Sequence, residues 1–122
     1  MGSLNKNSNF KKIAKEVIDL EIKALQKLKK TLNKNFDEAV NAIVNCQSKV
    51  ILCGVGKSGI ISKKWAATFS STGTPSFFMD ASNASHGDMG QITSNDIVIL
   101  ISLSGQSDEL KNIIQYTSRN RN

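Results

Sequence analysis

Proline occurs once, at Pro75, and histidine once, at His86. Cysteine occurs twice, at Cys46 and Cys53, and these do not form a C-x-x-C pair. No other cysteine is present to complete a zinc set, so a redox or structural-metal role for them has no support. Cys53 lies in an apolar run and is expected to pack as a small hydrophobe. One proline against eight glycines excludes collagen-like or linker-dominated chain. The longest apolar run, Ile97–Ile101, is far too short to span a bilayer. Met1–Lys15 is mostly Asn, Lys and Ser and lacks the apolar core of a signal peptide. A cytoplasmic protein with no membrane partner is the expectation. The 122 residues suit one small domain, and an apolar fraction of 39% is that of a globular chain.

Charge is uneven. Residues 1–34 hold nine lysines against Glu16, Asp19 and Glu21, a net of +6 (9 − 3). Residues 35–122 hold seven basic and seven acidic side chains and are neutral. A basic segment can indicate a nucleic-acid partner, but this one has no arginine and no interleaved aromatics for base stacking. Its lysines are expected to solvate the outer face of a helix, and no nucleic-acid partner is expected.

That helix follows from spacing. Phe10, Ile13, Val17, Leu20 and Ala24, continued by Leu28 and Leu32, form one apolar stripe. Asn33-Lys34-Asn35 breaks the pattern. Asn35 is expected to cap a second helix, with Glu38 completing a capping box. Val50–Cys53 reads as a buried strand, Ile60–Ser70 as a helix with Ile61, Trp65 and also Ala66 and Phe69 turned inward, and Gly73-Thr74-Pro75 as its stop. Ser76–Met79 reads as a strand, Asp80–Gly90 as a polar loop or short helical turn, Asp96–Ser102 as an apolar central strand, and Asp108–Tyr116 as a helix. Strands alternating with helices indicate an α/β fold with a parallel sheet flanked by helices. The expected organisation is two N-terminal helices over residues 8–48 and a strand–helix core over residues 49–122.

Three segments carry candidate chemistry. Gly54-Val55-Gly56-Lys57-Ser58-Gly59 follows a strand and opens a helix, where free N–H groups and the helix dipole favour an anion. Its letters fit the dinucleotide fingerprint, with Asp80 as the ribose-binding acid, so a dinucleotide-binding domain is a rival reading. The Walker A reading fails because Ile51 stands where its first glycine belongs. The plain alternative is a glycine turn that packs helix on strand. Ser102-Leu103-Ser104-Gly105-Gln106-Ser107 ends the best strand and offers three hydroxyls and a glycine turn at a helix start, which suits a phosphate monoester. Capping by Ser107 is the alternative there, but it leaves Ser102 and Ser104 unexplained. Ala84-Ser85-His86-Gly87-Asp88 sets the sole histidine, the natural proton carrier near neutral pH, in a polar loop. A loop histidine with only structural hydrogen bonds is an even alternative. Asp88 reads as a cap or turn residue.

Together these segments, with Ser71-Thr72-Gly73-Thr74-Pro75 and Glu109, resemble the sugar isomerase (SIS) domain, and specifically the bacterial arabinose 5-phosphate isomerase family. The match runs from about Lys49 to Tyr116. The resemblance implies a Rossmann-like three-layer sandwich around a five-stranded parallel sheet, which associates with a second copy as a homo-oligomer. It implies interconversion of arabinose 5-phosphate and ribulose 5-phosphate, which supplies the Kdo sugar of lipopolysaccharide, with no redox cofactor. On that reading Gly56, Ser58, Ser102, Ser104, Gly105 and Ser107 bind substrate, and Lys57, Glu109 and His86 are the catalytic candidates. His86 is also a candidate contact for an adventitious metal ion. The serine loop departs from the family pattern at Leu103 and Gln106. Family members also continue with two further strands, another glutamate and histidine, and paired CBS domains, so residues 1–122 resemble the front of a SIS domain, and this short chain is expected to be inactive by itself. A non-catalytic phosphosugar-binding regulatory module is the rival of another class.

Overall fold

In the computed structural model, which describes residues 9–120, two helices precede an alternation of strands and helices. The helices are α1 (Phe10–Lys29) and α2 (Lys34–Val44). Then come β1 (Val50–Gly54), α3 (Lys57–Ser71), β2 (Ser76–Asp80), α4 (Ala81–Ala84), a 3₁₀ turn (Asp88–Gln91), β3 (Ile97–Ile101) and α5 (Asp108–Arg119). Residue 8, where the helical segment is expected to begin, lies outside the described residues. No described helix is long and apolar enough to cross a membrane.

The contacts divide the chain into two compact units, Met1–Ala39 and Val40–Asn122. In the first, the Asn9 side chain accepts the Lys12 N–H at 3.1 Å and starts α1. The helix carries the expected apolar stripe and buries none of it. It ends at Lys29, so Leu32 falls in the link rather than on the stripe. The second helix starts earlier than its expected cap. Asn33, not Asn35, sits before it, and the Asn33 carboxamide oxygen accepts the Asn35 N–H at 3.0 Å. Glu38 closes no capping box; it pairs with Lys34 at 3.2 Å on the exposed surface.

In the second unit the three strands form one parallel sheet in the order β2-β1-β3. β1 is buried along its whole length and is the central strand. Its alternation feeds two cores. Ile51 and Cys53 join Met79, Ala81, Ala84, Leu110 and Ile113 on the face covered by α4 and α5. Val50 and Leu52 join Ala66 on the other face, with Phe69 of α3 and Ile43 of α2 packed against them. Helices on both faces make three layers.

The apolar run expected as a strand over Asp96–Ser102 is β3, half-buried throughout and paired with β1. One expectation is corrected here, the inward face of α3. Gly59, Ser62 and Ala66 are buried, whereas Ile61 and Trp65 are exposed. The reason is the close approach of α3 to β1, which admits only small residues at the contact. The end of α3 is as expected: Gly73 takes φ +101°, and the Thr74 N–H turns back to the Phe69 carbonyl at 2.8 Å.

Candidate functional site at the carboxyl edge of the sheet

Because all three strands are parallel, the loops that follow them emerge at one edge. From β1 the chain crosses to β2 on one side and then returns to β3 on the other. The topological switch point therefore lies between β1 and β3, where open α/β sheets hold their ligands. Gly54 and Ile101 are in register there. The glycine turn and the serine loop thus leave neighbouring strands at the same level.

The glycine turn divides its labour. Gly56 precedes α3 with φ +59° and ψ −128°, a conformation that only glycine adopts without strain. Gly54 and Gly59 have another task. A Cβ on Gly54 would stand 2.6 Å from the Ser58 carbonyl carbon, and one on Gly59 would stand 2.9 Å from the Gly54 carbonyl oxygen. So the plain packing reading holds for the outer glycines, while the middle one shapes the turn. Lys57 and Ser58 open α3. Lys57 is exposed and Ser58 half-buried.

The serine loop is folded by its own hydroxyls. Ser102 Oγ accepts the Gly105 N–H at 2.9 Å, and Ser104 Oγ accepts the Gln106 N–H at 3.2 Å. A hydroxyl that accepts a bond keeps its proton to donate elsewhere. Gly105 takes φ +67°, which closes the turn. Ser107 occupies the cap position of α5 yet makes no side-chain cap bond. Simple capping therefore does not account for any of the three serines. Asp108 and Glu109 lie in the first turn of α5, and Asp108 is paired with Lys111 at 3.1 Å. Glu109 is exposed. Leu103 at the loop tip is fully exposed.

The third loop follows β2. Asp80 caps α4 by accepting the Ser82 N–H at 2.9 Å, so its carboxylate is already engaged at the place a ribose would need it. His86 is exposed in the turn after α4, and its backbone N–H bonds the Asn83 carbonyl at 2.9 Å. Asp88 starts the 3₁₀ turn, as a cap or turn residue should. Among the described residues no three His, Cys, Asp or Glu side chains are grouped to hold a metal. Burial, with the Asp80 carboxylate adding to it, pushes the Cys53 thiol beneath this edge up to about 12. Lys63, which sequence reasoning passed over, lines a shallow concavity of about 230 Å³ with Gly54, Gly56, Asp80 and Ser82. Its spacing of four from Gly59 is the only sequence signal for it.

Comparison with known proteins gives the same picture. The SIS domain matches residues 43–122. The chain is 45% identical over 113 residues to arabinose 5-phosphate isomerase KdsD of Yersinia pestis, covering 93% of this chain and 34% of that protein. It is 45% identical over 111 residues to KdsD of Escherichia coli K12, covering 91% of this chain and 34% of that protein. Escherichia coli CFT073 c3406, solved in complex with arabinose 5-phosphate, superposes with a TM-score of 0.86 at 39% identity, covering 98% of this chain and 63% of that chain. The chain thus spans about a third of the length of the curated relatives it matches. A parallel sheet with helices on both faces, strand-end loops at one edge and a SIS match over most of the core agree, and the chain belongs to the SIS domain family.

Proposed function

We propose that the crevice between β1 and β3 binds a phosphosugar and that the chain contributes to aldose–ketose isomerisation of arabinose 5-phosphate and ribulose 5-phosphate. The observation that carries this reading is that the glycine turn and the serine loop leave neighbouring strands in register at the switch point of the sheet. The names of the relatives, and the sugar phosphate in the Escherichia coli complex, support the choice of sugar. Ser102, Ser104, Gly105 and Ser107 hold the phosphate through hydroxyl and N–H donors at the start of α5. Gly56 and Ser58 supply donors from the start of α3. In the aldose-to-ketose direction a base removes the C2 proton and an enediolate forms. The proton returns at C1, and the O2 proton passes to O1. Glu109 is the candidate base, Lys57 the cation beside the developing oxyanion, and His86 a ligand of the sugar hydroxyls. In this reading residues 8–48 are the helical lead-in and residues 49–122 the ligand-binding core of a SIS domain. Run in reverse, the same reaction yields the arabinose 5-phosphate that serves the lipopolysaccharide sugar Kdo, in the cytoplasm, in a homo-oligomer.

A second reading keeps the ligand and drops the reaction. Lys57, His86 and Glu109 are all exposed, whereas the serine loop is fully folded, so phosphosugar sensing needs less than this chain holds for catalysis. Titration calorimetry with arabinose 5-phosphate, run beside an NMR assay of ribulose 5-phosphate conversion, tests both. Binding with turnover supports the isomerase, and binding without turnover supports the sensor. A folded chain that takes up neither sugar overturns the site.

A further inference from the structure

We infer that Ser62, together with the Gly54–Gly59 contact, is a positioning residue that sets where Lys57 and Ser58 stand at the crevice. The inference rests on the phosphosugar reading of that crevice. Ser62 is the one polar residue buried as a whole, backbone and side chain, among the described residues. It faces the sheet one turn into α3, at a place where packing alone calls for an alanine, as Ala66 one turn later illustrates. Its hydroxyl donates to the Ser58 carbonyl at 2.8 Å. That carbonyl is held from the other side as well: Gly54 has its Cα against the Ser58 carbonyl group and the Gly59 N, and Gly59 lies against the Gly54 carbonyl. The first turn of α3 thereby rests on the last residue of β1 by backbone contact, and the Ser62 hydrogen bond, internal to α3, braces the Ser58 carbonyl at which that contact is made. A shift of Lys57 and Ser58 along the strand end disturbs one or the other. A serine inside a helix competes with the backbone for its hydrogen bonds and gains nothing over alanine in helix propensity. Its presence on this buried face is accounted for by the carbonyl it holds.

The test uses the full chain and arabinose 5-phosphate as the probe, with affinity from calorimetry and stability from urea unfolding. Ser62→Ala is expected to keep the urea midpoint of the parent and to weaken binding roughly three- to tenfold, the factor that a hydrogen bond of ordinary net strength carries. Gly59→Ala is expected to weaken it further, because backbone must move to admit the new methyl group. Ala66→Gly, on the same buried face one turn away, is the control: it lowers the midpoint and leaves the affinity of the folded chain as it was. Parent-like affinity in Ser62→Ala, with Lys57→Ala and Ser104→Ala both impaired, overturns the positioning role and leaves the phosphosugar site standing. Parent-like affinity in Lys57→Ala and Ser104→Ala, or no binding by the parent, overturns the phosphosugar reading and this inference with it. Should Gly59→Ala fail to fold, Ser62→Ala decides alone.

Discussion

The Asp96 carboxylate lies 2.7 Å from the Lys49 ammonium with its own side chain wholly buried, and so ties the start of β3 to the start of β1. Ser48 Oγ donates to the same carboxylate at 2.6 Å and the Thr93 N–H at 2.7 Å. Burial by itself would raise the Asp96 carboxyl, but the bonds from Lys49, Ser48 and Thr93 outweigh it and hold the group well below the usual carboxylate range. This cluster sits at the amino ends of the strands, opposite the glycine turn and the serine loop.

A carboxyl depressed in the folded state stabilises the fold above its unfolded value of about 4, and that contribution fades as pH falls toward the folded value. The urea midpoint is therefore expected to drop steeply below about pH 4. Asp96→Asn should flatten that acid limb and cost about 2 kcal/mol at neutral pH, the worth of hydrogen bonds to a charged group. An unchanged acid limb in the variant would assign the acid sensitivity elsewhere.

The two cysteines should differ in reactivity. Cys53 is buried, with its thiol raised to about 12, whereas Cys46 is only half-buried. The thiolate is the nucleophile, so iodoacetamide on the folded chain is expected to modify Cys46 and spare Cys53. Peptide mass mapping after a short exposure at mildly alkaline pH reads the outcome. Equal labelling would mean that β1 opens far more readily than its burial suggests.

Gly54 and Gly56 should rank clearly. A Cβ at position 54 meets the α3 backbone at 2.6 Å, so Gly54→Ala forces helix and strand apart and is expected to cost about 2–3 kcal/mol. At position 56 there is open space and only the φ of +59° to resist, so Gly56→Ala is expected to cost about 1–2 kcal/mol. Urea unfolding of the two variants checks the order.

Ser107 offers a cleaner separation. An N-cap hydroxyl that bonds its helix is worth about 1 kcal/mol, but Ser107 makes no such bond. Ser107→Ala is therefore expected to leave the melting temperature unchanged and, on the phosphosugar reading, to weaken arabinose 5-phosphate binding. A loss of stability with normal affinity would return Ser107 to a capping role.

Lys57→Ala is expected to stay within about 0.5 kcal/mol of the parent in stability, as exposed side chains do. On the phosphosugar reading, binding should weaken, because a cation beside the anionic ligand is lost. Calorimetry on the variant, beside a thermal melt, measures both.

Much of this was readable in the sequence, for physical reasons. Val50–Cys53 and Ile97–Ile101 announce strands because apolar residues covered on both faces need no alternation. The candidate loops stand out because glycine and serine cluster at strand ends, although Gly54 and Gly59 turn out to serve the packing of α3 on β1. The inward face of α3 was not readable. Hydrophobicity points to Ile61 and Trp65, but the contact with β1 is made backbone to backbone and selects Gly59, Ser62 and Ala66. Nor was the helix cap, since Asn33 and Asn35 are chemically equal and only the path of the link chooses between them. Pairing order escaped as well, because β1 and β3 carry equivalent apolar runs and the difference lies in what stands beside each.

The order β2-β1-β3 has a consequence for assembly. The glycine turn and the serine loop belong to strands separated by an entire crossover, α3, β2 and α4, so neither half of the crevice exists as a unit until β1 and β3 have zipped together. That pairing closes the longest segment between neighbouring strands in the sheet and is the slow, entropically demanding step. A molecule that touches both loops stitches this closure from outside. It adds its binding free energy to the native state alone, so saturation with ligand should hold the edge strand in place against exchange and proteolysis.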